Sequence, residues 1–259
     1  MGPLVFWAKL GGRPRSGQSR EASVTGHKHS NADLRDRRTA SSRDVHIAPL
    51  DLAGTVWLPS HPNGLVVFAH GSGSSRLSPR NLAVADALND AGFGTLLFDL
   101  LTPEEEIDRR NVFDISLLAE RLIDAIQWID QDSALKKLPL GLFGASTGAA
   151  AALVAAARLG ERVDAVVSRG GRPDLAGAAL ESVRSPTLLI VGGNDDVVLE
   201  LNQQALAKLK ASKALQIVPG ASHLFPEPGA LEAVIKHATQ WFSLHLDHRG
   251  GEIASNSGN

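Results

Sequence analysis

The sequence predicts a doubly wound α/β protein, in which helices flank both faces of a mostly parallel sheet. Short and wholly apolar runs such as Leu65–Ala69 are typical of strands that are buried on both faces of a parallel sheet. Amphipathic segments such as Asp114–Gln131, with Leu118, Leu122 and Ile126 on one face, alternate with these runs along the chain. No internal repeat and no second set of elements follows, so we expect one domain of this kind.

The predicted elements follow one another in a regular order. Asp44–Leu50 and Gly54–Leu58 predict a short antiparallel pair that precedes the first buried strand. A helix is predicted over Ser78–Gly92, because Pro79 suits its first position and Gly92 its end. Further strands are predicted over Thr95–Phe98, Leu138–Phe143, Val163–Ser168, Thr187–Val191 and Leu215–Val218. Further helices are predicted over Thr147–Leu159, Glu200–Lys210 and Gly229–Leu246.

Composition excludes several classes of protein. The 259 residues are 43% hydrophobic and 21% charged, which is ordinary for a globular chain that buries its own core. No apolar run approaches the roughly 18 residues of a membrane span, so we expect no membrane insertion. The chain has no cysteine, which excludes disulfides, thiolate metal sites and a cysteine nucleophile and is compatible with a cytoplasmic location. A net charge of −2 argues against a dedicated nucleic-acid binder.

The charge is unevenly distributed and marks a domain boundary. Residues 1–43 contain nine basic and three acidic residues, a balance of +6, whereas residues 44–259 carry a balance of −8. The first segment shows no helical or strand period, so we expect a basic, disordered leader over 1–43, an α/β domain over 44–247 and a flexible tail over 248–259. Contact of the leader with RNA or anionic lipid is an alternative that deletion of the leader would test.

The segment Gly144–Gly148 matches G-x-S-x-G and lies between a predicted buried strand and a predicted helix. In that setting the small residues let strand and helix approach closely, and the Ser146 hydroxyl projects above the sheet as a nucleophile. The backbone N–H of Thr147 and the helix N-terminus then face a developing oxyanion. The alternative is a glycine-rich turn in which the serine only caps the helix.

A nucleophilic serine needs a base, and the base needs an acid that orients it. His223 follows the predicted strand Leu215–Val218 in a tight loop, and Asp195 and Asp196 follow the strand Thr187–Val191. Both loops lie at carboxyl ends of strands, where ligands bind in open α/β sheets. We expect Asp195 to be the acid, while Asp196 remains an alternative that caps the next helix. The other candidate histidines lie in the leader or in the last helix and its tail: His27, His29, His237, His245 and His248.

Four segments together resemble the α/β-hydrolase superfamily, over roughly residues 44–246: Leu65–Gly73, Gly144–Gly148, Gly192–Val198 and Gly220–His223. The compact layout is most similar to the dienelactone-hydrolase-like branch, because the connection from Ser168 to Pro186 is too short for a large cap domain. The resemblance implies an α/β-hydrolase fold and hydrolytic chemistry. Dienelactone hydrolases proper use a cysteine nucleophile, so the dienelactone substrate is not implied for this chain.

The loop after the first buried strand, His70-Gly71-Ser72, resembles the oxyanion loop of that family. The resemblance implies that the backbone N–H of Ser72 is an oxyanion donor beside that of Thr147. We interpret His70 as a side chain that fixes this loop. Arginines near the predicted site are either solvated or meet an anionic substrate: Arg76, Arg80, Arg169 and Arg172. The acidic residues Glu104–Glu106 and Asp108 lack spaced histidine partners, so they predict a solvated surface and no metal site.

These observations predict a serine hydrolase that cleaves carboxylic esters through Ser146, His223 and Asp195, with no cofactor and no metal. Without a cap the site is expected to be open, which favours short-chain esters or accessible bulky and polymeric esters as substrates. A thioesterase, peptidase or acyltransferase on the same triad is an alternative, and a binding module without catalysis is another. The sequence does not indicate an oligomeric state.

Overall fold

A computed structural model describes residues 41–246, which form a single eight-stranded sheet with helices on both faces. The strand order is β1-β2-β4-β3-β5-β6-β7-β8. The six strands from β4 to β8 in this order are parallel to one another. The predicted fold class, a doubly wound and mostly parallel sheet flanked by helices, is confirmed, and residues 41–246 contain no large cap domain. The strands are β1 (Ser41–Ile47), β2 (Leu52–Leu58), β3 (Leu65–Ala69), β4 (Gly94–Phe98), β5 (Leu140–Ala145), β6 (Ala165–Arg169), β7 (Thr187–Gly192) and β8 (Lys213–Val218).

Within the described part of the chain, six α-helices connect the strands and lie on the two faces of the sheet. They are α1 (Pro79–Asp90), α2 (Pro103–Ile107), α3 (Ile115–Gln131), α4 (Thr147–Leu159), α5 (Asp196–Lys208) and α6 (Ala230–Leu246). Helices α1 and α6 bury apolar residues such as Leu88 and Phe242 against one face of the sheet. Helices α3 and α4 bury Leu122 and Leu153 against the other face. The strands between them are apolar on both sides, because both of their faces are covered.

The first two strands pair antiparallel at one edge of the sheet, as the sequence predicts. Strand β1 begins at Ser41 and ends at Ile47, whereas the predicted strand ran from Asp44 to Leu50. The shift arises because the first four residues of β1 are exposed and polar, so that only their pairing with β2 defines the strand. Residues 1–40 of the predicted leader and residues 247–259, which include the predicted tail, lie outside the described residues.

Two elements near the carboxyl end of the chain begin earlier in the sequence than predicted. Helix α5 begins at Asp196 and not at Glu200, and its first turn includes Val197, which is 71% exposed. Strand β8 begins at Lys213 and not at Leu215, because it is an edge strand whose residues are only partly buried. The first residues of both elements lack a clear apolar pattern, so the sequence did not indicate where the elements begin.

The connection between β6 and β7 is compact. It contains a 3₁₀ helical segment over Pro173–Ser182, which is kinked at Gly177 and packs against α4. Within residues 41–246, no helix is both long enough and apolar enough to cross a membrane.

Candidate active site

Ser146 lies in a tight turn between β5 and α4 and has a left-handed backbone conformation, with φ 51° and ψ −121°. Two glycines make this turn possible. A Cβ on Gly144 would lie 2.4 Å from the Cα of Ala149, and a Cβ on Gly148 would lie 2.3 Å from the carbonyl oxygen of Ala69. Strained backbone of this kind persists only where its surroundings hold it, and it is concentrated at functional sites. The predicted close approach of strand and helix around Ser146 is therefore present.

His223 and Asp195 come together at the carboxyl ends of β8 and β7. The imidazole Nδ1 of His223 lies 2.7 Å from the carboxylate Oδ2 of Asp195, a hydrogen-bond distance. The Asp195 side chain is 16% exposed and that of His223 is 35% exposed, so the pair is reachable from solvent. Asp196, the other candidate acid, is instead the exposed first residue of α5. The two candidate acids therefore occupy different positions relative to the helix. Asp195 occupies the N-cap position, but its side chain makes no capping hydrogen bond.

Ser146 and His223 both adjoin Arg169 and Gly170, the last residue of β6 and the residue after it. The N–H of Ser146 donates to the carbonyl oxygen of Arg169 at 3.3 Å. A Cβ on Gly170 would lie 2.8 Å from the carbonyl oxygen of His223 and 3.8 Å from its ring Cε1. Among residues 41–246 no hydrogen bond joins the Ser146 hydroxyl to His223. Such contacts are often long in enzymes without substrate and tighten when substrate binds.

The loop after β3 packs directly on the Ser146 turn. A Cβ on Gly71 would lie 2.9 Å from the Cβ of Ser146, so that only glycine permits this approach. One residue later, the N–H of Ser72 donates to the hydroxyl Oγ1 of Thr147 at 2.9 Å. The predicted pair of Ser72 and Thr147 is thus adjacent, beside Ser146. The sequence interpretation used only the backbone of Thr147 and missed this side-chain contact.

His70 fixes the loop through both ring nitrogens, as the sequence interpretation expects. The N–H of Leu100 donates to Nε2 at 3.1 Å, and Nδ1 lies 3.1 Å from the carbonyl oxygen of Gly71. These contacts define the tautomer that carries its proton on Nδ1. Burial lowers the pKa of His70, because the charged form would lose its hydration. The neutral ring ties the loop to the segment after β4.

Two of the four arginines considered near the site are engaged with carboxylates. Arg76 forms an ion pair with Asp99, and Arg172 forms one with Asp174. The other two, Arg80 and Arg169, have no carboxylate partner in the described part of the chain.

The acidic segment after β4 is structural. It forms helix α2, where Glu105 completes a capping box with Thr102 and pairs with Arg121. No group of residues suited to a metal ion occurs within 41–246.

The similarity of this chain to known proteins is consistent with this geometry. The sequence profile described as the Dienelactone hydrolase family matches residues 52–244. A crystal structure of a dienelactone hydrolase from Anabaena variabilis is 54% identical and superposes with a TM-score of 0.76, covering 80% of this chain and 97% of that one. A dienelactone hydrolase-like promiscuous phosphotriesterase from metagenomic libraries is 20% identical, with a TM-score of 0.64, covering 80% of this chain and 99% of that one. This second likeness supports the fold alone.

Curated relatives exist in two strains of Mycobacterium tuberculosis, where they are provisionally named phosphoribosyl transferases. The match is 63% identical over 202 residues, and it covers 78% of this chain but only 46% of the relative. This chain therefore spans less than half the length of these relatives.

The parallel sheet with its sharp serine turn and with a histidine and an aspartate at neighbouring strand ends defines an α/β-hydrolase. The profile match covers most of the chain, and the structural match is close in sequence as well as in fold. The chain belongs to the dienelactone hydrolase family.

Proposed function

We propose that this chain is a serine hydrolase that cleaves carboxylic esters. The observation that carries the proposal is the 2.7 Å contact between His223 Nδ1 and Asp195 Oδ2, next to a serine held in a strained turn. A serine hydroxyl becomes a nucleophile only when a base accepts its proton, and an acid must hold that base in one tautomer. The contact on Nδ1 leaves Nε2 of His223 as the atom that accepts this proton.

In the proposed reaction, Ser146 Oγ attacks the ester carbonyl carbon while His223 Nε2 accepts its proton. The alcohol leaves when the tetrahedral intermediate collapses, and it takes the proton from His223. Water then attacks the acyl-enzyme, again with His223 as base, and the acid is released with Ser146 restored. The carboxylate of Asp195 stabilises the imidazolium that forms in each half of the reaction.

The backbone N–H of Thr147 and that of Ser72 are proposed to bind the oxyanion. The first lies at the N-terminus of α4, where the helix dipole favours negative charge. The second already donates to Thr147 Oγ1, so the oxyanion must share this N–H or displace the hydroxyl from it. A single donor in such a hole typically contributes about 3–4 kcal/mol to transition-state stabilisation.

The substrate is proposed to be a small or an accessible bulky ester, because residues 41–246 form no cap over the carboxyl edge of the sheet. The chemistry needs neither a metal nor a cofactor. The lack of cysteine is the one observation behind a proposed cytoplasmic location. The transferase activity named for the M. tuberculosis relatives is not proposed here, because the shared segment is 46% of those proteins and this chain carries a hydrolase fold.

Hydrolysis of p-nitrophenyl acetate, butyrate and octanoate by the wild type and by Ser146→Ala tests the proposal. We expect turnover by the wild type and a loss of several orders of magnitude in the variant. The preferred chain length then measures the size of the acyl pocket. Equal slow rates for both proteins would refute Ser146 as nucleophile toward these esters. Assays with thioesters and peptides would then follow.

A further inference from the structure

The loop that carries His223 is fixed at its start by the neighbouring loop of the proposed acid. This His223 loop, residues 219–229, connects β8 to α6. The side chain of Asn194 donates from Nδ2 to the carbonyl oxygen of Gly220 at 2.9 Å, and its backbone N–H donates to that of Ala221 at 2.9 Å. Asn194 immediately precedes the proposed acid, so these bonds tie the two loops together. They end two residues before His223, whose own orientation depends on other contacts.

Glu227 makes such a contact on the far side of His223. Its carboxylate Oε1 accepts the N–H of Ser222, the residue before His223, at 3.0 Å. Its carbonyl oxygen accepts the N–H of Ala230, the first residue of α6, at 3.0 Å. The other carboxylate oxygen, Oε2, is buried. Glu227 thus closes the loop around His223 and joins it to the start of α6.

The segment between His223 and Glu227 is strained. Phe225 has a positive φ of 56°, and it is only 2% exposed. A left-handed backbone is unfavourable for a residue other than glycine and persists only where surrounding contacts hold it. The N–H of Phe225 donates to the carbonyl oxygen of Ser222 at 3.1 Å, and a Cβ on Gly170 would lie 3.3 Å from the ring Cε2 of Phe225. A loop of this kind would relax, and move His223 with it, if the contact with Glu227 were removed.

The sequence around Glu227 suits a fixed anchor. Pro226 and Pro228 flank it and restrict the backbone on both sides. Glu227 is also the one acidic residue of the His223 loop. Hydrogen bonding by Ser222 lowers the pKa of Glu227, so that its carboxylate is charged at neutral pH. A hydrogen bond from an N–H to a charged carboxylate is stronger than one to a neutral acceptor.

We propose that Glu227 is a positioning residue for His223. By holding the N–H of Ser222, its carboxylate keeps Nδ1 of His223 on Asp195 and leaves Nε2 free to accept the proton of Ser146. The inference rests on the proposed function and adds to it a residue that acts through the base and does not touch the substrate.

The first test is the hydrolysis of p-nitrophenyl butyrate by Glu227→Ala and Glu227→Gln. We expect the alanine variant to lower kcat about 10- to 100-fold, the range for a lost hydrogen bond to a charged group. KM should stay within about threefold of the wild type, because the bond acts on the chemical step and not on ester binding. Glu227→Gln keeps a carbonyl oxygen for the N–H of Ser222, so its kcat should stay within about fivefold of the wild type. The matched control is Glu232→Ala, which removes an exposed acid in the first turn of α6 and should change kcat by less than about twofold.

Three kinetic results would overturn the proposal. The first is a kcat for Glu227→Ala within threefold of the wild type. The second is an equal loss in Glu227→Ala and Glu227→Gln, since the bond to Ser222 would then not be the cause. The third is a rise in KM without a change in kcat. If circular dichroism shows that Glu227→Ala does not fold, Glu227→Asp replaces it, because its shorter side chain withdraws the carboxylate and should lower kcat about tenfold.

A readout without catalysis separates this proposal from the proposed function. The proton on His223 Nδ1 resonates far downfield in the proton NMR spectrum when it is bonded to a carboxylate, and Asp195→Asn assigns it by its loss. We expect this resonance in the wild type and in Glu227→Gln, and its broadening or loss in Glu227→Ala. If the wild type cleaves no ester but the resonance responds in this way, the hydrolase proposal fails and the role of Glu227 stands. If esters are cleaved through Ser146 and neither kcat nor the resonance changes in Glu227→Ala, the role of Glu227 fails alone.

Discussion

Replacing Asp195 by Asn tests the proposed triad most directly. The change keeps the size of the side chain and removes the negative charge that lies on His223 Nδ1 at 2.7 Å. Two unit charges about 4 Å apart interact with about 4 kcal/mol at an effective dielectric constant of about 20. Because the His223 side chain is 35% exposed, solvent screening lowers this toward about 2–3 kcal/mol.

At about 1.4 kcal/mol per tenfold in rate, the lost charge alone lowers kcat by about 30- to 140-fold. The amide can also present its NH₂ group to the ring and favour the wrong tautomer, which extends the expected loss toward about 10⁴-fold. Stability should change by less than about 1 kcal/mol, because Asp195 makes no side-chain capping bond to α5. Urea unfolding would verify this.

The assay is steady-state hydrolysis of p-nitrophenyl butyrate, with Asp196→Asn as the matched control. Asp196 is exposed and begins α5, so its variant should keep its rate within about threefold of the wild type. A normal rate in Asp195→Asn would refute the orienting role of this carboxylate. An equal loss in both variants would show that charge near the site, and not the contact with His223, sets the rate.

Three further changes probe the loops around Ser146. Thr147→Val removes the acceptor of the partly buried Ser72 N–H and should lower the free energy of unfolding by about 0.5–1.5 kcal/mol in urea, whereas Thr147→Ser should not. Gly148→Ala places a Cβ 2.3 Å from a backbone oxygen and should abolish activity; Gly160→Ala, with open space, should cost only about 1–2 kcal/mol for its positive φ. The folded-state pKa of His70 lies below the unfolded value of 6.5. The contribution of His70 to stability should therefore be lost as pH falls below 6.5, by up to about 1.4 kcal/mol per pH unit. The variant His70→Asn should flatten this dependence of stability on pH. Wild-type stability under urea for Thr147→Val, full activity for Gly148→Ala, or an unchanged pH slope would contradict the respective reasoning.

The sheet was predictable because its inner strands are apolar on both faces. Leu65–Ala69 is buried at all five positions, and a run of this kind has few other interpretations. The edge strands were placed less well, since Ser41–Ile47 and Lys213–Val218 keep exposed residues whose pattern carries little information. Pairing with a neighbour defines these strands, and a single sequence does not show it.

The candidate site divides in the same way. Ser146, Asp195 and His223 were predicted as site residues because each lies just after the end of a predicted strand, and strand ends meet at one edge of a parallel sheet. The bond between Ser72 and Thr147 joins residues 75 apart, and that between Arg169 and Asn81 joins residues 88 apart. Side-chain contacts over such separations depend on packing that no local pattern encodes.

The order of strands in the sheet has a consequence for how the protein gains activity as it folds. Ser146, Asp195 and His223 follow β5, β7 and β8, and the last of these strands completes the sheet at its edge. Parallel strands pair only after long intervening segments have closed, which makes such sheets slow to form. During refolding, helical circular dichroism should therefore recover before ester hydrolysis does. The recovery of the proposed ester hydrolysis would then report the pairing of β8 with β7.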